Sequence, residues 1–166
     1  SYYSPPTEAI EEIQMIRGAA SLQFGPQFGG LINFKLKEAN PKKRLETTVR
    51  QTVGSFGLSN TFISLGGKNK SWTYYGYGNY KFGDDWRPNS SFDVRQGYLN
   101  LKKRFNEKSV LGIEFTKMYY LAQQPGGLTD NQFESQPDTS FRSRNWFSVD
   151  WNLAALNFDH EFNSNT

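Results

Sequence analysis

The chain of 166 residues has no cysteine, which excludes disulfides and thiolate metal sites. It has one histidine, so a zinc site is not expected. Long apolar runs are also missing: mean hydropathy is -0.71, and no segment approaches the roughly 20 apolar residues of a membrane helix. The net charge of +3 is too small to indicate nucleic acid as a partner. No signal peptide begins at Ser1, so we expect a mature chain or a fragment.

Aromatic residues, in contrast, make up 16% of the chain, and they occur in segments where apolar and polar residues alternate. Leu111, Ile113 and Phe115, for example, alternate with Gly112 and Glu114. Alternation with a period of two predicts β-strands with two different faces. Strands of a transmembrane β-barrel have this pattern because only every second residue meets lipid, so their mean hydropathy stays low.

The alternation and the turn signals predict one helical turn over residues 5–12 and two short strands, 13–17 and 31–37. Six longer strands follow, near residues 45–53, 61–65, 72–82, 94–105, 111–121 and 147–162. We predict a tight turn over residues 66–70 and long loops over 84–91 and 123–145. In the last strand the apolar residues change parity after Leu153, which predicts a β-bulge near Ala154 and Ala155.

The strand over residues 72–82 has a distinctive face. Trp72, Tyr74, Tyr80 and Phe82 share one parity with two glycines between them, so aromatic residues lie at both ends of that face. Two aromatic girdles at the membrane interfaces require this distribution. We therefore expect this face to meet lipid, with the long loops on the extracellular side and the short turns on the periplasmic side.

A composition change divides the chain into two domains. Asn40 and Pro41 precede three consecutive cations, Lys42, Lys43 and Arg44. This polar segment predicts a linker over residues 39–44, between a first domain at 1–38 and a second at 45–166.

Several separated motifs resemble one family of membrane proteins. They are Ile13-Gln14-Met15-Ile16-Arg17-Gly18-Ala19-Ala20-Ser21, then Phe24-Gly25-Pro26-Gln27-Phe28-Gly29-Gly30, then Gly83-Asp84-Asp85-Trp86-Arg87, and finally Pro125-Gly126-Gly127-Leu128. The first two resemble the end of the plug domain of TonB-dependent outer-membrane receptors and transporters. Together the motifs are similar to the ferric citrate (Fe(III) dicitrate) branch of that family.

The resemblance implies a mainly β fold: the C-terminal part of a plug domain, followed by the first antiparallel strands of a large transmembrane β-barrel. Plugged outer-membrane transporters have 22 strands, and six strands cannot close such a barrel, so we expect the chain to be a fragment. The family transports a ferric chelate actively across the outer membrane of Gram-negative bacteria, powered by the TonB-ExbB-ExbD complex. The implied partners are that complex, the chelate and outer-membrane lipid, not nucleic acid. Neither a cofactor nor enzymatic activity is implied, since iron enters only as chelated cargo.

Five residues are candidates for function. The resemblance places Arg17 between plug and barrel, where it would pair with barrel carboxylates; the alternative is an exposed arginine at a strand end. Gln27 would lie at the plug apex, and its amide can donate to citrate oxygens or to its own loop. Arg87, Arg142 and Arg144 would attract an anionic chelate through bidentate contacts, or simply face solvent.

Two other functions compete with ferric chelate transport. One is TonB-dependent uptake of another cargo, such as a different siderophore, cobalamin or a glycan. The second is a soluble, aromatic-rich β-sandwich that binds carbohydrate. These classes differ in behaviour, because a soluble lectin needs no detergent whereas barrel strands do.

Overall fold

The computed structural model describes residues 4–17 and 29–162, and within them the chain is mainly β. The chain divides into two compact units, Ser1–Glu38 and Ala39–Thr166. The second unit holds the long strands and the candidate loops. Among the described residues, no helix has the length and apolar character needed to cross a membrane.

The first unit contains a short 3-10 helix, Thr7–Ala9, and two antiparallel strands, β1 (Ile10–Ile16) and β2 (Leu31–Leu36). Both strands were predicted, and the structure confirms them. The helical turn predicted over residues 5–12 is shorter than expected, because Ile10 already pairs with Leu36 in the two-stranded sheet.

The second unit is one antiparallel sheet of six strands, each hydrogen-bonded to the strand that follows it in sequence. The strands are β3 (Glu46–Val53), β4 (Ser59–Asn69), β5 (Trp72–Gly83), β6 (Phe92–Asn106), β7 (Ser109–Gln123) and β8 (Trp146–His160). The predicted number and order of these strands are confirmed. Turns of two residues, 70–71 and 107–108, join strands at one end of the sheet, while the connections 54–58, 84–91 and 124–145 lie at the other.

The predicted turn over residues 66–70 is wrong. β4 continues to Asn69, and the turn consists of Lys70 and Ser71 alone. Gly67 instead allows a close approach of the backbone, because a Cβ atom built on it would lie 2.6 Å from the carbonyl carbon of Arg44. Residues 43 and 44 lie against this part of the sheet: Lys68 N donates to Lys43 O at 2.9 Å, and Tyr74 Oη donates to Arg44 O at 2.6 Å.

The β-bulge predicted near Ala154 and Ala155 is also wrong. β8 pairs with β7 in unbroken register from His160 opposite Ser109 to Trp146 opposite Gln123. The change of parity has another physical basis. Phe147 and Leu153 lie on one face of the sheet, whereas Leu156 and Phe158 lie on the opposite face, which also carries Trp146.

The sheet register separates two faces of different character. What we call the apolar face carries large side chains that remain exposed although they lie within the sheet: Ile63, Leu65 and Leu99 are each 46% exposed, Ile113 43% and Phe115 42%. The opposite face, called the buried face, carries Phe62, Met118, Tyr77 and Tyr75, which are 1%, 2%, 6% and 7% exposed. Phe62, Tyr77 and Tyr98 form a row of rings across three strands, with centroids 5.7 and 5.6 Å apart.

Candidate functional site

The 84–91 and 124–145 connections lie at the same end of the sheet and are tied together by side chains that donate to backbone carbonyls. We call these two connections the loop pair. They contain three of the predicted chelate-binding residues and the motifs around Trp86 and Gly126. The loop pair is therefore the candidate site that the structure describes best.

Arg87 ties the first loop to the second. Its Nη1 donates to Gly126 O at 2.9 Å, its Nη2 to Thr139 O at 2.9 Å and to Pro125 O at 3.5 Å, and its Nε to Thr139 O at 3.3 Å. The side chain is half-buried, and its guanidinium lies 6.0 Å from the Trp86 ring. A guanidinium with five N–H donors in a rigid fork suits several carbonyls at once. The guanidinium of Arg87 is therefore hydrogen-bonded to backbone carbonyls of the second loop.

Asn89 provides a second tie between the same two loops. Its backbone is in the left-handed region, with φ of 60°, which asparagine tolerates better than most residues. From there the two N–H groups of its Nδ2 are shared among three carbonyls, Arg142 O at 2.6 Å and Gln124 O and Asn145 O, both at 3.0 Å. Two of these carbonyls also accept from the backbone, Arg142 O from Asn145 N at 3.0 Å and Asn145 O from Gln124 N at 2.9 Å, so Asn89 ties the first loop to a hydrogen-bonded part of the second.

The second loop also has internal order. It contains one helical turn, α1 (Asp130–Ser135), which begins with a capping box: Gln132 N donates to Thr129 Oγ1 at 3.4 Å, and Thr129 N donates to Gln132 Oε1 at 3.0 Å. Ser140 Oγ donates to Pro125 O at 3.2 Å. We did not predict this turn from the sequence, although the spacing of Thr129 and Gln132 is its signal.

Gly126 provides a test of the loop arrangement. Its φ is +79°, and a Cβ atom built on it would lie 2.6 Å from Cγ of Arg142. We expect Gly126→Ala to destabilise the folded loop by about 1–2 kcal/mol, because alanine in this conformation is strained and the arginine must move. Hydrogen exchange of residues 124–145 measures this, and faster exchange is expected. Gly127→Ala is the matched control, since nothing lies within 4 Å of its added Cβ; equal exchange in both variants would contradict the arrangement.

The predicted site residues have different surroundings. Arg87 and Arg142 meet at Gly126, Arg87 through a hydrogen bond to its carbonyl and Arg142 through its side-chain carbons. Arg142 and Arg144 are exposed, so their guanidinium groups are accessible to an anion. Arg17 directly follows β1 and is exposed. Gln27 lies outside the described residues, so its assignment as a ligand stays a prediction, as do the assignments of the four arginines.

Sequence reasoning missed Asn89, whose role depends on carbonyls far along the chain. Within residues 4–17 and 29–162, no group of three His, Cys, Asp or Glu side chains is placed to hold a metal ion. The chain matches no model of a known protein family, and no curated protein matches it either.

Proposed function

We propose that this chain is part of a TonB-dependent outer-membrane transporter that takes up a ferric chelate such as ferric citrate. Residues 1–38 would be the C-terminal part of the plug, 39–44 the linker, and 45–166 the first strands of the barrel. One observation supports the proposal: the apolar face of the sheet keeps large apolar side chains exposed between aromatic residues at its two ends.

Exposed apolar side chains in the middle of a regular sheet need an explanation. The five large residues named above on the apolar face are more than 40% exposed, whereas the buried face carries polar groups such as Asn79 and Gln96, which are 7% and 9% exposed and hydrogen-bonded to each other at 3.3 Å. Water does not favour the exposure of these five side chains, because apolar area removed from water stabilises by about 25 cal/mol per Å². In a transmembrane barrel, apolar residues face lipid and polar residues line the interior.

The height of the apolar face also suits a membrane. Trp72 and Phe82 share this face at opposite ends of β5, and they are 40% and 39% exposed. At about 3.3 Å per residue and a tilt of about 40°, their separation corresponds to roughly 25 Å along the membrane normal, which is the height of the apolar band in outer-membrane barrels. Aromatic residues at both limits are the girdles that the interfaces favour.

The connections give the sheet a direction in the membrane. Two-residue turns occupy one end and the loop pair occupies the other. Since outer-membrane barrels have short periplasmic turns and longer extracellular loops, the loop pair would lie outside the cell, where a chelate arrives.

The family resemblance implies the transport mechanism. The chelate binds between the extracellular loops and the plug apex, where Gln27, Arg142 and Arg144 are the proposed contacts, and the loops close over it. The TonB-ExbB-ExbD complex then pulls on the plug, where Arg17 holds its end against barrel carboxylates, and a path opens. No covalent bond is made or broken, and iron passes through as cargo.

Uptake by cells tests the proposal. We expect cells of a Gram-negative host that lacks its own ferric citrate transporter to accumulate radiolabelled ferric citrate when they produce the full-length protein. Deleting TonB should lower the uptake at least tenfold, to background. Competition with unlabelled siderophores, cobalamin or glycans identifies a different cargo. Uptake that is unchanged without TonB, or a full-length protein that is monomeric and soluble without detergent, would refute the proposal.

A further inference from the structure

The second loop of the loop pair divides into a tied base and a free tip. We call residues 127–138, which include α1, the tip, and the flanking residues 124–126 and 139–145 the base. Within the described part of the chain, the hydrogen bonds of the tip stay inside it or reach Thr139, which directly follows it. No residue of α1 is buried, and Phe133 is 58% exposed. The tip is therefore folded within itself and not hydrogen-bonded to the strands.

One side chain holds both ends of the tip. Arg87 Nη1 donates to Gly126 O and its Nη2 to Thr139 O, both at 2.9 Å, and these residues directly precede and follow the tip. Ser140 Oγ also donates to Pro125 O at 3.2 Å, which joins the two halves of the base again. A loop of roughly 6–16 residues whose ends lie close together is an Ω-loop. Such a loop can swing as one body while its base stays fixed.

The tip and the base carry opposite charges. The tip has three carboxylates, those of Asp130, Glu134 and Asp138, and no lysine or arginine. All three residues are exposed. The base carries Arg142 and Arg144, which are also exposed and form no ion pair with a described residue. Accessible charges of both signs thus lie on one loop.

The arginines lie within reach of the tip. Arg142 follows Asp138 by four residues. Its Cγ also lies 2.6 Å from the Cβ atom that would be added to Gly126, and Gly126 precedes Asp130 by four residues. Four residues span at most about 14 Å, so a swing of the tip can bring carboxylates and guanidinium groups together. Contact is needed for a sizeable attraction, because salt screens exposed charges over about 8 Å.

We propose that the tip closes on Arg142 and Arg144 when no ligand is bound, and that an anion with several carboxylates displaces it. The structure shows the open arrangement, in which both arginines are accessible. Asp130, Glu134 and Asp138 then determine specificity: a singly charged anion replaces one ion pair of the tip, whereas a polycarboxylate such as ferric citrate replaces several. The inference rests on the proposed role of the two arginines as ligand contacts. The tip leaves them before the remaining loops close over the chelate.

Disulfide cross-linking tests the contact. The 166 residues contain no cysteine, so Ser135→Cys with Ser143→Cys places one thiol beside Glu134 and one between the two arginines, with every charge kept. The reference is the same pair in a neutral tip that carries Asp130→Asn, Glu134→Gln and Asp138→Asn. In the full-length protein in detergent micelles, with any other cysteine replaced by serine, we expect the acidic tip to cross-link roughly three- to tenfold faster, the range that two exposed ion pairs supply. Free citrate should slow it to the rate of the neutral tip.

Ligand binding is the second measurement. The neutral tip without cysteines should bind ferric citrate roughly three- to tenfold more tightly, since no carboxylate competes for the arginines. Asp84→Asn with Asp85→Asn is the matched control, because it removes carboxylates from the loop pair outside the tip, and it should bind as the unchanged protein does. An equal gain in the control would indicate the general field of the loops and overturn the inference.

The cross-linking results decide the inference without iron. Equal rates for the acidic and neutral tips overturn the contact, and cross-linking that citrate does not slow overturns the displacement. If ferric citrate does not bind while citrate still slows the cross-linking, the tip acts as proposed and the ferric citrate assignment fails. The two failures are therefore distinguishable.

Discussion

Gly67→Ala is expected to destabilise the sheet by about 3 kcal/mol or more, at the upper end of the cost of overpacking. An added Cβ would overlap the carbonyl oxygen of Arg44 and lie 2.6 Å from its carbonyl carbon. These are backbone atoms, and they are held in place because Arg44 O accepts from Tyr74 Oη at 2.6 Å while Lys43 O accepts from Lys68 N at 2.9 Å. The clash therefore displaces either residues 43 and 44 or the β4 strand.

Gly78→Ala is the matched control for this prediction. Gly78 lies on the same face of the sheet, and nothing lies within 4 Å of an added Cβ. Urea unfolding of the full-length protein in detergent micelles measures both variants, with the amount of folded protein in the membrane as a second readout. If the two alanine variants unfold at the same urea concentration, residues 43 and 44 do not pack against Gly67.

The adjacent residues Gly66 and Gly67 show what local sequence signals do and do not reveal. Adjacent glycines beside Lys68 and Asn69 are typical of turns, so the turn was predicted over residues 66–70. In the structure these glycines still belong to β4, and the turn begins at Lys70. Their actual neighbour, Arg44, is close in space but belongs to a separate segment of the chain. Strand alternation was predictable because it depends only on neighbouring residues, as in the period of two from Leu111 to Phe115.

The last strand shows a second limit of sequence-based prediction. Its apolar residues change from Leu153 on the buried face to Leu156 on the apolar face, yet its register with β7 is unbroken. A bulge and a regular strand that passes between two environments give the same sequence pattern. Asp150 pairs with Lys117 on the apolar face, so charged as well as apolar side chains of β8 lie on that face. Only the pairing with β7 distinguishes the two cases.

The position of the loop pair was predictable from the sequence, but the contacts within it were not. The motifs around Trp86 and Gly126 located both loops, and Arg87 was predicted as a chelate ligand because guanidinium groups match carboxylates. Its partners in the structure are carbonyl oxygens of Pro125, Gly126 and Thr139. Every residue carries such an oxygen, so no sequence pattern identifies these partners.

Arg87→Ala is expected to loosen the loop pair and so to lower chelate binding indirectly. The variant removes a charged donor from three carbonyls, and a hydrogen bond to a charged group contributes about 1.5–3 kcal/mol. Losing even one such contact raises the open population of the loop roughly tenfold or more. Limited proteolysis of the full-length protein without ligand should then cut residues 124–145 at least tenfold faster.

Arg142→Ala separates this positioning role from direct ligand contact. The Arg142 side chain is exposed, and its backbone carbonyl, which accepts from Asn89 Nδ2, remains in the variant. We therefore expect Arg142→Ala to weaken ferric citrate binding while proteolysis stays near that of the unchanged protein. Arg87→Lys should restore the loop only in part, because an ammonium cannot span carbonyls in a rigid fork. If Arg87→Ala abolishes chelate binding with unchanged proteolysis, Arg87 contacts the cargo itself, since only a group that meets the ligand lowers affinity without loosening the loop.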